Sequence, residues 1–270
     1  MRTRGARLVL AFDLRCALRS ARGILFLVFY GLTTWWFLSK LAEHRESIEA
    51  FARPSGMKRA AALRLVAMLI GDDGTLVRLL SAHPPILVFY AQFALITLPL
   101  FVMTGAFDQT ATDLSTRHLR FLLLKTTRAS VFAGRLAGAY VLVATPPAIV
   151  TLAWGIASGD AAWGARVALA VAALALPLVA LLALLNAATA SAAITLLAVT
   201  SWQLVVWLAS TVLAIADERF ASLAYLFPTA IEPMLLDPSP ARFALGLGAA
   251  LGYAAAFAAA GWWIFRRRDV

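Results

Sequence analysis

Side chains that hold a proton, a metal or a phosphate are few in this 270-residue chain, and their spacing is unfavourable. Its three histidines, His44, His83 and His118, lie in polar stretches far apart in sequence, without the short spacing that brings metal ligands together. Each reads as a surface or interface residue. The single cysteine, Cys16, excludes an internal disulfide and a cysteine-based metal cluster, and reads as a small apolar residue on a helix. No Gly-x-x-x-x-Gly-Lys-Ser/Thr phosphate loop is present, so ATP is not bound by that route. A serine protease working inside a bilayer would want a serine in one apolar segment and a histidine in another, yet no apolar segment holds a histidine. No catalytic, cofactor or metal site is therefore expected in this chain.

The stretch 108–135 carries the most structured pattern. Asp113, Arg117, Arg120, Lys125 and Arg128 alternate with Leu119, Leu122 and Leu123 at helical spacing, followed by a basic exit. A short amphipathic helix of this kind could dock in a groove on a partner, its leucines as the anchor and its charges setting register. The rival reading is a helix lying on lipid headgroups. A second pattern is the leader, 1–22. At the helical angle Arg4, Arg7, Arg15, Arg19 and Arg22 fall within about a third of the circumference, with Val9, Phe12 and Cys16 on another side. It reads as an amphipathic helix lying on the inner leaflet, or else as a solvated basic leader that sets topology.

What must position these patterns is a set of membrane spans. The chain is 62% hydrophobic and only 14% charged, with mean hydropathy +0.82, which excludes a soluble globule. Apolar stretches run over 23–42, 85–107, 136–157, 167–216 and 243–265, and Lys40, free to snorkel, is their one formal charge. The first is too long for a signal-peptide core and is expected to stay attached. The stretch 167–216 would make a single helix of about 75 Å, so it must cross twice. Its most polar and small part, 186–191, is the expected break, giving spans over 167–187 and 190–216. The expectation is an all-α, six-span polytopic membrane protein forming one domain over 1–270.

Charge sets the expected orientation. The net charge is +10, and a pI near 10.8 would suggest nucleic acid in a soluble protein. Here the basic residues flank apolar segments, where the positive-inside rule and anionic lipid account for them without nucleic acid. With both termini inside, the leader contributes +5, the 108–135 loop +3 and the tail after 265 +2, so the outer side sums to zero. The expected location is a bacterial-type inner membrane with both termini cytoplasmic. No ionisable group sits mid-span, where ion-coupled pumps place theirs; Gln92, Thr97, Thr145, Asn186, Thr195, Thr200, Gln203 and Ser210 could glue helices or line a path.

In order, Asp113, Leu119, the Leu122-Leu123 pair, Thr127-Arg128 and the closing Gly134-Arg135 resemble the series between spans two and three of type-2 ABC exporter permeases. Thr127 stands where that family usually has proline and Arg135 where it has lysine. The basic leader, the Phe265-Arg-Arg-Arg-Asp269 ending and the polar segment 217–242, with its Leu226-Phe-Pro228 and Glu232-Pro-Met-Leu-Leu-Asp-Pro238 runs, are also similar to the family. The resemblance implies a permease without catalytic activity, exporting a hydrophobic or amphipathic substrate. It implies a second permease copy or related chain as partner, and two separate ATPase subunits holding ATP and Mg. It further implies that the loop helix is the coupling element and that 217–242 forms re-entrant outer helices. Rival readings are an ATPase-independent transporter or channel, a membrane-embedded enzyme, and an ATPase-linked complex doing mechanical or signalling work.

Overall fold

The computed structural model describes residues 2–52, 73–108, 123–124, 126–216 and 218–268. Every regular element among them is helical: α1 (Arg2–Arg19), α2 (Ala21–Glu43), α3 (Arg45–Ala52), α4 (Asp73–Ala82), α5 (Pro85–Ala106), α6 (Arg128–Ala157), α7 (Ala161–Thr189), α8 (Ala192–Ala216), α9 (Glu232–Leu236) and α10 (Pro240–Arg267). Two 3-10 stretches, Glu218–Leu226 and Pro228–Ile231, lie between α8 and α9. Six helices, α2, α5, α6, α7, α8 and α10, are long and apolar enough to cross a membrane. The protein is a multi-pass membrane protein by that measure.

Local chemistry sets the boundaries. Ser20 caps α2 by accepting from the Gly23 N–H at 3.1 Å, while its own hydroxyl donates to the Ala17 carbonyl at 2.9 Å. The chain bends so tightly there that a Cβ on Gly23 would stand 1.9 Å from the Ala17 oxygen, so only glycine fits. Thr127 caps α6 and Asp160 caps α7, each accepting from the N–H three residues on. The helix α7 ends at Ala190, a left-handed residue with φ 54°, whose N–H donates to the Asn186 carbonyl. The apolar stretch 167–216 is thus two helices.

Two helices form the centre. The most apolar windows of α5 and α7 are each 67% buried within the protein, against 22% for α2 and 17% for α8 and α10. Around Leu87, Leu95, Leu98, Leu174, Leu178 and Leu181 the interior is continuous from α5 to α7. The helix α7 packs along both α6 and α10, and α1 packs along α6. The turn between α6 and α7 closes on glycine against glycine: a Cβ on Gly155 would lie 2.4 Å from the Gly164 Cα. Close backbone approach of this kind is how helices pack where no water drives them together. Proline at 99, 146, 147 and 177 is absorbed inside the spans, with Thr151 donating to the Pro147 carbonyl at 2.6 Å.

Candidate functional site

The residues singled out in 108–135 divide. Asp113, Arg117, Leu119, Arg120, Leu122 and Lys125 lie outside the described residues. Leu123 and Arg128 lie within them, and both turn toward the protein's own bundle. Leu123 packs on a small apolar cluster of Val131, Phe132, Ala183, Ala187 and Phe265, which joins the start of α6 to the ends of α7 and α10. Phe132 and Phe265 meet with ring centroids 5.6 Å apart. Arg128, in the first turn of α6, donates through Nη1 to the carbonyl of Arg266 at 2.7 Å and to that of Arg268 at 2.9 Å. Those carbonyls belong to the end of α10, where a helix leaves acceptors without intrahelical donors and where a cation is favoured.

The leader folds onto the same end. One stripe of α1, with Ala6, Val9 and Asp13, lies against Gly134 and Gly138 of α6, and a Cβ on Gly134 would stand 2.6 Å from the Val9 Cβ. Arg135 reaches Asp13 with Nε 3.2 Å from Oδ2, the two side chains only 18% and 11% exposed. The Gly134-Arg135 pair noticed as the exit of the loop is therefore also the seat of α1: the glycine lets the helix close and the arginine pairs with its one acid. Arg7, Arg15 and Arg19 are exposed, along with Leu8, Phe12 and Leu18, so the free face of α1 is both basic and apolar. The side chains of Arg4 and Arg22 are not among those described.

The turn from α7 to α8 adds a polar knot. Thr195 donates to the Asn186 Oδ1 at 3.3 Å and lies 2.9 Å from the Thr189 hydroxyl, which also donates to the Leu185 carbonyl. Asn186 and Thr195 are fully buried. Arg268 donates through Nη2 to the Ala188 carbonyl in the last turn of α7. Loop exit, leader, C-terminal end and interhelical turn thus meet at one end of the bundle.

At the opposite end a second polar set ties the connections together. His83, expected at a surface or an interface, stacks on Trp163 with centroids 4.2 Å apart, and its Nδ1 lies 2.6 Å from the Asp160 Oδ2. Burial pushes the Asp160 carboxyl up, but the His83 hydrogen bond, the Trp163 backbone N–H and the His83 charge outweigh it and leave the group below its ordinary value. Arg166 donates to the carbonyls of Asp237, Pro238 and Ser239 and lies over the Phe243 ring at 4.5 Å. Asp237, 2% exposed, accepts from Arg242 at 3.2 Å and Arg78 at 3.5 Å. This His-Asp pair has no neighbouring nucleophile among its described contacts and works as a tie between α4, the α6–α7 turn and α7.

Beside these ties, Glu232 opens α9, and burial raises its carboxyl to about 8. His44 is exposed and His118 lies outside the described residues. Among the described residues no group of three His, Cys, Asp or Glu side chains could hold a metal ion. Of the polar span residues, Gln92 is buried in α5 and Thr97 donates to the Phe93 carbonyl of its own helix at 2.6 Å. No family model matches the chain, and no curated protein matches it.

Proposed function

We propose that the chain is the membrane-spanning permease subunit of a type-2 ABC exporter, forming a path for a hydrophobic or amphipathic substrate. In this reading ATP is hydrolysed by two separate ATPase subunits, and a second permease copy or a related chain completes the path. The observation that carries the reading is the convergence at one end of the bundle. The exit of the 108–135 loop, the amphipathic α1 and the ends of α7 and α10 are joined there by Arg128, Arg135 and Arg268. A partner seated on that loop would push on four helices at once, as a rigid-body switch requires. We place this end in the cytoplasm, because the segments that meet there carry all of the net +10. The 3-10 stretches and α9, whose Phe227, Ile231, Leu235 and Leu236 are buried against the bundle, serve in this reading as the outer re-entrant segment.

The test is association with an ABC ATPase encoded beside this chain. Leu122→Asp is the informative variant, since Leu123 already faces the protein's own apolar cluster and its replacement would damage the fold. Losing a buried anchor costs about 2 to 4 kcal/mol at an interface, whereas loss of a rim charge mainly slows association. Leu122→Asp should abolish co-purification and stimulated hydrolysis in membranes, and Arg120→Ala, which removes a charge from the same stretch, should weaken them less. Full association by Leu122→Asp, or ATP hydrolysis by this chain alone, overturns the reading. Outer-side labelling of Arg268→Cys in a Cys16→Ser background would overturn the orientation.

A further inference from the structure

The helix α8 is a peripheral span, as little buried as α10. Its best apolar window is 17% buried, Leu196, Leu197, Trp202, Leu204, Val205 and Trp207 are exposed, and its main packing is on the Glu218–Leu226 stretch that follows it. Its attachment to the bundle runs along one side of its first two-thirds: Thr195 and Val199 are buried, the Thr200 hydroxyl lies 4.0 Å from the Met103 Sδ on α5, and Val206 packs on the core, while the remainder of its surface is open. Two residues before its first residue stands Ala190, the one non-glycine residue with positive φ among those described. A left-handed alanine is a strained conformation that persists only when its surroundings hold it. What holds it is the knot of Asn186, Thr189 and Thr195, in which the Asn186 Nδ2 is buried without a hydrogen-bond partner. An amide donor left unmade makes that knot a poor lock, one whose rearrangement loses little.

Two arginines lead from the loop to this hinge. Arg128 at the start of α6 caps the carbonyls of Arg266 and Arg268, and Arg268 in turn caps Ala188. Each guanidinium fills the orphan acceptors at the end of the next helix. The cluster of Phe132, Phe265, Ala183 and Ala187, with Leu123 packed on it, keeps the three helix ends at fixed spacing beneath these caps.

We infer that Arg128 and Arg268 form a relay that passes displacement of the start of α6 to the Ala190 hinge and so sets the tilt of α8. This rests on the reading that the loop receives a push from a partner, but the linkage itself is a property of the chain alone. Arg128 and Arg268 are positioning residues: their hydrogen bonds go to backbone carbonyls of α10 and α7, and their effect on α8 passes through those. Arg267, by contrast, sits over the Trp263 ring at 3.8 Å and lies outside the relay.

The experiment uses the full chain in lipid nanodiscs, with Cys16→Ser and spin labels at Ala165→Cys on α7 and Leu208→Cys on α8, both exposed sites. Arg268→Gln should shift the mean distance by about 2 Å or more and broaden the distribution, the scale of helix shifts in known switches. Arg128→Gln should reproduce that shift, and the double variant should add nothing, as members of one chain of contacts do. Arg267→Gln, which removes the same charge, should leave the distribution unchanged. A reference pair at Ala133→Cys and Leu169→Cys, across α6 and α7, should not move. Should it move, Arg268→Lys decides, since a retained donor to Ala188 must restore the native distribution. An unchanged α8 in Arg128→Gln or Arg268→Gln, or a failed lysine rescue, overturns the relay. None of these distances needs the ATPase, so absence of ATPase association would sink the exporter reading and leave the relay standing, and an unmoved α8 would do the reverse.

Discussion

Arg135→Ala should release α1 from the bundle. Its Nε lies 3.2 Å from the Asp13 carboxylate in a seat between α1 and α6 where the two side chains are 18% and 11% exposed. An exposed pair contributes about 0 to 1 kcal/mol, whereas stripping one partner from a fully buried pair costs about 3 to 5 kcal/mol. These exposures lie between the two limits, so the loss is about 2 kcal/mol, or roughly 30-fold in the equilibrium between docked and undocked α1. The larger part comes from Asp13, which loses the Arg135 guanidinium in a seat beside Gly138, where its Cβ lies 3.3 Å from where a glycine Cβ would stand. Asp13→Leu with Arg135→Met removes both charges and should recover most of the loss, because the apolar seat formed by Val9 and Gly134 remains.

The native Cys16 is an exposed, free thiol on α1 and serves as the reporter. A spin label there should sharpen from restricted to mobile in Arg135→Ala, stay restricted in the double variant, and leave the thermal midpoint of the spans largely unchanged. If Arg135→Ala keeps the wild-type label mobility, the ion pair is solvated in practice and α1 is held by its glycine contacts alone.

Gly155→Ala should cost about 1 to 3 kcal/mol by overpacking, since its new Cβ would meet the Gly164 backbone at 2.4 Å, while Gly248→Ala, with open space around it, should be neutral or mildly stabilising; thermal midpoints of the two variants decide this. Glu232 holds its proton more tightly when folded, so the stability it contributes is complete below its ordinary 4.5 and is lost as the pH rises to about 8. Glu232→Gln should therefore flatten the fall in thermal midpoint between those values, and an unchanged pH profile would remove the carboxyl from the account. Asp160 has the opposite sign: its contribution is present above about 3.8 and lost as the pH falls further. At pH 7 Asp160→Asn, which keeps an acceptor for Trp163, should be milder than Asp160→Ala by about 1 kcal/mol in unfolding free energy.

The six spans were legible because a bilayer demands runs of apolar residues of fixed length, a requirement that composition alone reports. The break in 167–216 was legible for a related reason, since 186–191 is where side chains are too small and polar to continue a buried span. Less legible was what lies against what. The helical angle puts Val9, Phe12 and Cys16 on one side of α1, yet Val9 is buried while Phe12 and Cys16 are exposed. The stripe that covers Val9 comes from Gly134, distant in sequence, and no local period encodes it. For His83 the reading as a surface or interface residue could not name its partners, because Asp160 and Trp163 lie far along the chain. The apolar stretch that starts at Leu136 is the inner part of a helix that begins at Arg128. Hydropathy stops at a charge, whereas the helix continues because Arg128 and Arg135 find partners within the fold.

Those partners bear on how charge should be used to argue orientation. The inside-positive count treats each arginine as a solvated residue whose only role is to resist translocation. Arg128, Arg135 and Arg268 each make protein contacts instead, to α10, to α1 and to the last turn of α7. Deleting any of them changes packing and charge balance together, so a shift in topology after such a deletion would not separate the two causes. Adding charge at exposed positions does separate them. Lysine at Ala161 and Ala162, exposed beside the α6–α7 turn, would load the side that sums to zero while touching none of the arginine caps. If charge balance sets orientation, these additions should raise the fraction of inverted chains; if the caps and the α1 seat set it, the fraction should stay as in the native sequence.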